Sequence, residues 1–214
     1  MRTGFIEESR GVNMNDFLVW NDWWSRKYRD QVKEGTRYFS FKTALNILSQ
    51  RGLRNIVETG TIRAENDAAG GGNSTLVFGD YAQVYGNKFW TVDILPEAIE
   101  LSKKITEGFN KNTTFVIDDS IHFLETFNDD IGLLYLDSMD CPENDAPDSP
   151  NLIASQTHQL NELKTAWGLL SNTSIVLLDD NNFSNGGKCK LSIEFLIEKG
   201  WTCLINDKQS LWIQ

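Results

Sequence analysis

The stretch IGLLYLD at residues 131–137 is an apolar run of strand length that ends in a carboxylate. A run of this kind is typical of a strand buried on both faces of a parallel sheet. Four further runs share its texture: NIVE at 55–58, KFWTVD at 88–93, TFVI at 114–117 and SIVLLD at 174–179. Helical patterns separate all five runs. Because crossovers between parallel strands are right-handed, this alternation predicts a doubly wound α/β fold.

The rest of the chain predicts what surrounds these strands. Helical patterns cover residues 13–34, 41–49, 74–85, 97–107, 120–127, 154–170 and 191–199. Two short β-like runs at 201–205 and 211–213 are joined by a hairpin-like turn, which predicts that the sheet ends in an antiparallel hairpin. We therefore expect one domain over residues 1–214 with a mostly parallel, seven-stranded sheet. Residues 53–214 form its α/β core, and residues 1–52 form an N-terminal helical cover.

The N-terminal pattern is rich in tryptophan. Trp20, Trp23 and Trp24 precede the first predicted strand. They predict either ordinary packing of an amphipathic helix or a cover that helps to close a substrate site.

Composition excludes several classes of function. The chain has 214 residues, with 30 Asp and Glu against 20 Lys and Arg, a net charge of −10. This balance argues against binding to nucleic acid through its phosphates and against docking on anionic lipid. No apolar run approaches about 18 residues, so no membrane-spanning helix is predicted. Three widely spaced cysteines argue against a disulfide framework or a zinc site, and we expect a cytoplasmic protein with reduced thiols.

Carboxylates follow each of the five predicted parallel strands: Glu58, Asp93, Asp118 with Asp119, Asp137, and Asp179 with Asp180. In open α/β sheets the ligand lies outside the carboxyl ends of the strands, so these side chains are expected to share one rim. The alternative for each aspartate is a helix N-cap, where it accepts hydrogen bonds from free backbone N–H groups. Glu58 and Asp93 end strands directly, which favours a ligand site.

The loop after the first strand is rich in glycine. Glu58-Thr59-Gly60-Thr61 is followed, after an insertion, by GGGNST at 70–75, where Ser74 is expected to cap the next helix. The GxGxxG phosphate cradle is missing, and Glu58 would repel a pyrophosphate. Asp93 ends the second strand, where an acid can bind a ribose diol. The pattern favours a cofactor that combines a ribose with an ammonium or sulfonium group.

These motifs, in the order VETGT…GGGNST, TVDILPEAI, VIDDSIHFL, LLYLDSMD and IVLLDDNN, resemble the class I S-adenosylmethionine (SAM)-dependent methyltransferases over residues 54–183. Within that class the chain looks most like the metal-dependent small-molecule O-methyltransferases of the catechol and macrocin sugar types. The resemblance implies a site for SAM in which seven residues take part. Glu58, Gly60, Thr61 and Ser74 would hold the methionine part, Asp93 the ribose, and Asp119 and Ser120 the adenine. The insertion at 63–71 departs from the family pattern, and its role stays open.

The resemblance also implies a metal site. Residues 137 and 179–182 follow neighbouring strands, and oxygen ligands favour Mg²⁺, Mn²⁺ or Ca²⁺ over zinc. The catechol type maps onto Asp137, Asp180 and Asn181, and the sugar type onto Asp137, Asp179 and Asp180. We expect a divalent ion, Mg²⁺ first, that lowers the pKa of an acceptor hydroxyl. The alternative is that residues 179–182 form a polar loop.

A base must take the proton of the acceptor hydroxyl. The catechol type has a lysine three places after its first metal aspartate, but this chain has Asp140 there. The candidates are therefore Asp140 and His158, although His158 also reads as a surface histidine.

The expected function is metal-assisted O-methylation of a sugar or another small metabolite, with no nucleic-acid or membrane partner. Homo-oligomerisation is left open. Two alternatives stand: a non-catalytic SAM-binding module of the same fold, and a nicotinamide-dependent oxidoreductase, which the missing GxGxxG disfavours.

Overall fold

The computed structural model of the chain describes Tyr28, residues 37–65 and residues 73–214. The predicted helix at 13–34, with its three tryptophans, and the glycine run at 70–72 lie outside the described residues, Tyr28 excepted. Of the insertion at 63–71, the described part is residues 63–65.

The described chain alternates helices and strands as the pattern predicts. The helices are α1 (Tyr38–Gln50), α2 (Ser74–Tyr85), α3 (Pro96–Ile105), α4 (Ser120–Thr126), α5 (Pro150–Thr165), which a 3₁₀ turn at Ala166–Leu169 extends, and α6 (Lys190–Glu198). The strands are β1 (Asn55–Thr59), β2 (Lys88–Asp93), β3 (Thr113–Ile117), β4 (Ile131–Leu136), β5 (Leu170–Leu178), β6 (Thr202–Asn206) and β7 (Ser210–Ile213).

The seven strands form one sheet in the order β3-β2-β1-β4-β5-β7-β6. The first five are parallel, whereas β7 runs antiparallel to both β5 and β6. This confirms the predicted doubly wound sheet and its C-terminal hairpin. The chain order reverses between β1 and β4, and ligands of open α/β sheets bind at such a switch point.

Alternating residues of the central strands supply two separate cores. Ile56, Leu133 and Ile175 pack with α1 and α2 on one face. Val57, Leu134 and Val176 point to the other face and pack with α5 and α6. Both sets are fully buried, which explains why the strands read as continuous apolar runs rather than as alternating ones.

Several predicted boundaries are wrong by a few residues; helix α1, for example, begins at Tyr38 rather than at residue 41. Helix α5 begins at Pro150 and not at residue 154, since proline suits the first helical turn, so His158 lies inside the helix and not near its start. Strand β5 begins at Leu170 rather than at residue 174. The N-cap of α2 is Asn73, in the left-handed conformation, so Ser74 is the first helical residue and not the cap.

No helix in the described ranges is both long and apolar enough to cross a membrane. Cys141, Cys189 and Cys203 are free in the structure.

Candidate active site

The strand ends meet at one rim because the parallel registers align them. Thr59 pairs with Val92 on one side and with Leu136 on the other, and Leu136 pairs with Leu178. The residue after each of these positions therefore lies at the same edge of the sheet. This alignment brings Gly60, Asp93, Asp137 and Asp179 together at the switch point.

Glu58 lies beneath this rim and is fully buried. Its Oε2 accepts hydrogen bonds of 2.7 Å from the hydroxyls of Thr75 and Thr91. In the described part of the chain, Glu58 Oε1 has no hydrogen-bond partner within bonding distance. Burial raises the pKa of Glu58 to about 7 from an ordinary value near 4.5, although the surrounding hydroxyls oppose the shift. Glu58 therefore lies beneath the loop that follows β1 and is held there by the hydroxyls of Thr75 and Thr91.

The raised pKa predicts a pH-dependent stability that Glu58→Gln removes. A carboxyl whose pKa is higher in the fold stabilises the fold at low pH, and this contribution is lost as the pH rises through about 7. Between about pH 5 and about pH 8, the wild type should lose roughly 2–3 kcal/mol more free energy of unfolding than the variant. Urea unfolding of both proteins across this range measures the difference. Equal slopes would show that Glu58 titrates normally.

The turn at Gly60 and Thr61 is fixed by the neighbouring strand. Gly60 N donates to the Val92 carbonyl at 2.8 Å, and Thr61 N donates to Asp93 Oδ2 at 3.2 Å. Gly60 has a φ of +83°, and a Cβ there would overlap the carbonyl oxygen of Asp137. Only glycine fits here, because the residue after β1 lies against the backbone that follows β4. The Thr61 hydroxyl donates to Ser102 Oγ at 2.9 Å, so both its backbone N–H and its hydroxyl hold the turn in place.

A cavity of about 290 Å³, here named the Asp93 cavity, opens on one side of this turn. Asp93 is its central acid, and Oδ1 accepts a hydrogen bond of 2.9 Å from Leu95 N. Apolar atoms of Ile94 and Met139 line the cavity, and both side chains are exposed. A carboxylate between apolar walls fits a ribose diol joined to a flat base.

Three predicted site residues line the same cavity as Asp93. Asp119 caps α4, and its Oδ1 accepts hydrogen bonds of 3.0 Å from Ile121 N and His122 N. Ser120 Oγ lies 3.2 Å from His158 Nε2. His158 also lines this cavity, and its contact with Glu162 raises its pKa. Its role as a base stays a prediction.

A second cavity of about 650 Å³, here named the Asp137 cavity, opens on the other side of the turn. Asp137, Asp140 and Asp180 line it, together with the cationic side chains of Arg63 and Lys208. Gly60 forms part of the wall of both cavities, so the two cavities are neighbours at the turn.

Asp140 is paired rather than poised as a base. Arg63 Nη2 lies 2.5 Å from Asp140 Oδ1, and 79% of the Asp140 side chain is exposed. The hydrogen bonds from Arg63 lower the pKa of Asp140, which makes it a weaker proton acceptor.

Asp137, Asp179 and Asp180, here named the acid cluster, follow β4 and β5. Arg37 Nε donates to both oxygens of Asp179 at 2.8 and 3.1 Å, and the Tyr135 hydroxyl donates to Asp179 Oδ2 at 2.7 Å. Burial favours the neutral acid, but Arg37 and Lys188 together lower the pKa of Asp179. The oxygens of Asp179 are therefore already satisfied.

Lys188 is the second cation of the acid cluster. Its Nζ donates to Asp137 Oδ1 at 2.7 Å and to the Met139 carbonyl at 3.0 Å, and lies 3.4 Å from Asp180 Oδ2. Only 1% of its side chain is exposed. Burial opposes its charge, but Asp137, Asp180 and Asp179 raise the pKa of Lys188 above its ordinary value.

The acid cluster does not fit the predicted divalent ion. A metal bound to Asp137 Oδ1 would stand close to the Lys188 ammonium, and a +2 and a +1 charge about 4 Å apart repel by roughly 8 kcal/mol at an effective dielectric near 20. The Asn181 side-chain nitrogen, Nδ2, donates to Asn206 Oδ1 and to the Asp207 carbonyl, at 2.6 and 2.8 Å, so this side chain is held by the turn between β6 and β7. Within the described ranges, no group of three or more His, Cys, Asp or Glu side chains forms a metal-ligand set.

Sequence reasoning missed several residues of this site. Lys188 follows two glycines, which are a signal for a tight turn. No motif connects Lys188 with Asp137, which lies 51 residues earlier in the chain. Arg37 and Tyr135 carry no sequence signal, because the first lies at the start of a helix and the second reads as an ordinary strand residue.

Among the comparisons with known proteins, solved structures identify the fold. No protein-family model matches the chain, and a search of curated proteins finds no similar sequence. Among solved structures, the chain is similar to the S-adenosylhomocysteine (SAH)-bound methyltransferase PaMTH1 of Podospora anserina, at 16% identity and a TM-score of 0.57, over 96% of this chain and 90% of that one.

Two further solved structures are similar over most of the chain. The calicheamicin methyltransferase CalS11 is 10% identical with a TM-score of 0.61, over 100% of this chain and 99% of that one. The O-methyltransferase NovP is 12% identical with a TM-score of 0.59, over 82% of this chain and 78% of that one. Other matching structures are described as rRNA methylases. The chain therefore has the class I SAM-dependent methyltransferase fold.

Proposed function

We propose that the chain is a SAM-dependent methyltransferase that methylates a hydroxyl of a small molecule. The observation that carries the proposal is that Gly60 lines both the Asp93 cavity and the Asp137 cavity, so the two cavities are neighbours at the switch point of the sheet. Group transfer requires donor and acceptor to be bound next to each other, and two neighbouring cavities offer such a pair of sites.

The Asp93 cavity suits the donor. Each Asp93 oxygen accepts one backbone N–H and keeps capacity for a ribose hydroxyl. Ile94 and Met139 offer apolar surface to an adenine, and Ser120 and His158 offer polar atoms at the same end. SAM, when bound, supplies the electrophilic methyl group of its sulfonium. The similarity to SAH-bound PaMTH1 supports this choice of donor.

The Asp137 cavity suits a small, polar acceptor. Asp137 and Asp180 reach its wall and can accept hydrogen bonds from an acceptor hydroxyl, which orients the oxygen for in-line attack on the methyl group. Burial and the neighbouring acids raise the pKa of Asp137 while Lys188 opposes the shift, and a carboxylate with a raised pKa is the stronger proton acceptor. Carboxylates mixed with Arg63 and Lys208 suit a sugar or another hydroxyl-rich metabolite.

The acid cluster does not fit the predicted Mg²⁺, and no step here depends on a metal ion. The net charge of −10 disfavours RNA as the acceptor, although rRNA methylases share the fold. The expectations of a single domain and a cytoplasmic location also stay predictions.

Methyl transfer from labelled SAM tests the proposal. Incubation with a panel of sugars and small hydroxylated metabolites should label at least one small molecule, and total RNA should stay unlabelled. Asp137→Asn should lower the rate about 100-fold or more, because general-base contributions are of this size, with SAH affinity unchanged. The same substitution at Asp129, an exposed aspartate that pairs with Lys88, serves as the control and should leave the rate unchanged. Labelled RNA, or full activity of Asp137→Asn, would contradict the assignment.

A further inference from the structure

Lys188 holds a place in the acid cluster that a cation must fill. Three carboxylates lie side by side at the ends of β4 and β5, and unpaired carboxylates at this depth would repel one another. Arg37 neutralises Asp179, which leaves the pair Asp137 and Asp180 on the cavity wall. The Lys188 ammonium bridges these two acids, at 2.7 and 3.4 Å.

The backbone before Lys188 is built for this contact. Gly187 has a φ of +63°, and a Cβ there would overlap the carbonyl oxygens of Asp180 and Asn181. Lys188 N then donates to the Asp180 carbonyl at 2.8 Å. The neighbouring strand end and α5 hold the same turn, since Cys189 Sγ contacts the Asp179 carbonyl and Gln156 Nε2 donates to the Gly187 carbonyl, each at 2.8 Å. The turn delivers Lys188 to one fixed position beneath the acids.

The charges of the cluster balance without an added ion. Its three carboxylates face the cationic groups of Arg37, Lys188 and Lys208, the last 3.9 Å from Asp180 Oδ1. A divalent cation would have to displace the buried ammonium and leave it unpaired, which is costly for a charge with 1% exposure.

We propose that the Lys188 ammonium takes the place of a divalent cation in the acid cluster, so that the chain holds Asp137 and Asp180 at the cavity wall without a metal ion. Lys188 is then a positioning residue that acts through the two acids. The inference rests on the proposed function for what the acids do there, but the identity of the cation can be tested separately.

Titration with Mn²⁺ alone, followed by the loss of its free EPR signal, tests the inference. The wild type should show no saturable binding below about 0.1 mM Mn²⁺, a range that covers the buffer and sensor classes of divalent-ion site. Lys188→Met removes the ammonium but keeps the length of the side chain, so Mn²⁺ affinity should rise about tenfold or more. Adding Asp137→Asn should abolish the gain. Lys88→Met, which removes an exposed lysine paired with Asp129, should leave Mn²⁺ affinity unchanged.

Two results would overturn the inference: saturable Mn²⁺ binding to the wild type below about 0.1 mM that Asp137→Asn abolishes, or a folded Lys188→Met with no gain in affinity. Circular dichroism checks folding, and Lys188→Gln replaces Lys188→Met if the latter does not fold. SAH binding, measured on the same samples, separates the two proposals. A wild type that fails to bind SAH refutes the proposed function, whereas the Mn²⁺ results still decide the role of Lys188.

Discussion

Asp93→Ala is expected to weaken SAH binding by about 100-fold or more. The carboxylate would give the ribose two charge-assisted hydrogen bonds, each worth roughly 1.5–3 kcal/mol. The substitution also leaves Thr61 N and Leu95 N without their acceptor, which loosens the turn on which the donor would lie. Calorimetric titration with SAH, at a temperature where the variant is folded, measures the loss.

Asp129→Ala is the matched control for this substitution. Asp129 is exposed and pairs with Lys88. Its removal should leave SAH affinity unchanged and should change the free energy of unfolding by no more than a few tenths of a kcal/mol. If Asp93→Ala binds SAH as tightly as this control does, the ribose does not lie on Asp93 and the Asp93 cavity is not the donor site.

Gly60→Ala is expected to lower the free energy of unfolding by about 3 kcal/mol or more. A side chain at a φ of +83° costs roughly 1–2 kcal/mol, and forcing a methyl group into packed backbone typically costs about 1–3 kcal/mol. The added Cβ would lie 2.8 Å from the Asp137 carbonyl carbon, so β1 and β4 must separate at the switch point. For a domain of this size, the melting temperature should fall by roughly 6–12 °C.

Gly200→Ala separates backbone strain from overlap. Gly200 has a φ of +77°, but a Cβ there meets nothing within 4 Å, so only the strain of about 1–2 kcal/mol is expected. Equal destabilisation of the two variants would show that β1 and β4 do not approach so closely at Gly60. Gly60→Ala should also lose SAH binding, whereas Gly200→Ala should retain it.

The sheet could be predicted from the sequence because its signal is local. Runs such as 131–137 are apolar on both faces, and only a sheet covered on both faces buries them. Parallel neighbours then place Gly60, Asp93 and Asp137 at one edge without any knowledge of side-chain contacts. The antiparallel hairpin was predictable for the same reason, since its turn and both of its strands lie within residues 201–213.

The partners of the site residues could not be predicted, because they come from distant parts of the chain. Asp179 has the same local sequence whether it binds a metal or Arg37, and Arg37 lies 142 residues away. The pairing of Asp137 with Lys188 depends on a turn at Gly187 that delivers the ammonium from below the acids. The contact of His158 with Ser120 could not be predicted either, because it depends on how α5 packs against α4.

Titration of SAH into the full-length protein, with and without EDTA, tests the central claim most directly. The Asp93 cavity is proposed to hold the donor, and Lys188 is proposed to make a metal ion unnecessary in the neighbouring cluster. The account predicts saturable binding of one SAH per chain, with the same affinity in the chelator and with no binding of NAD. Absence of SAH binding, or tighter binding of NAD, would contradict it.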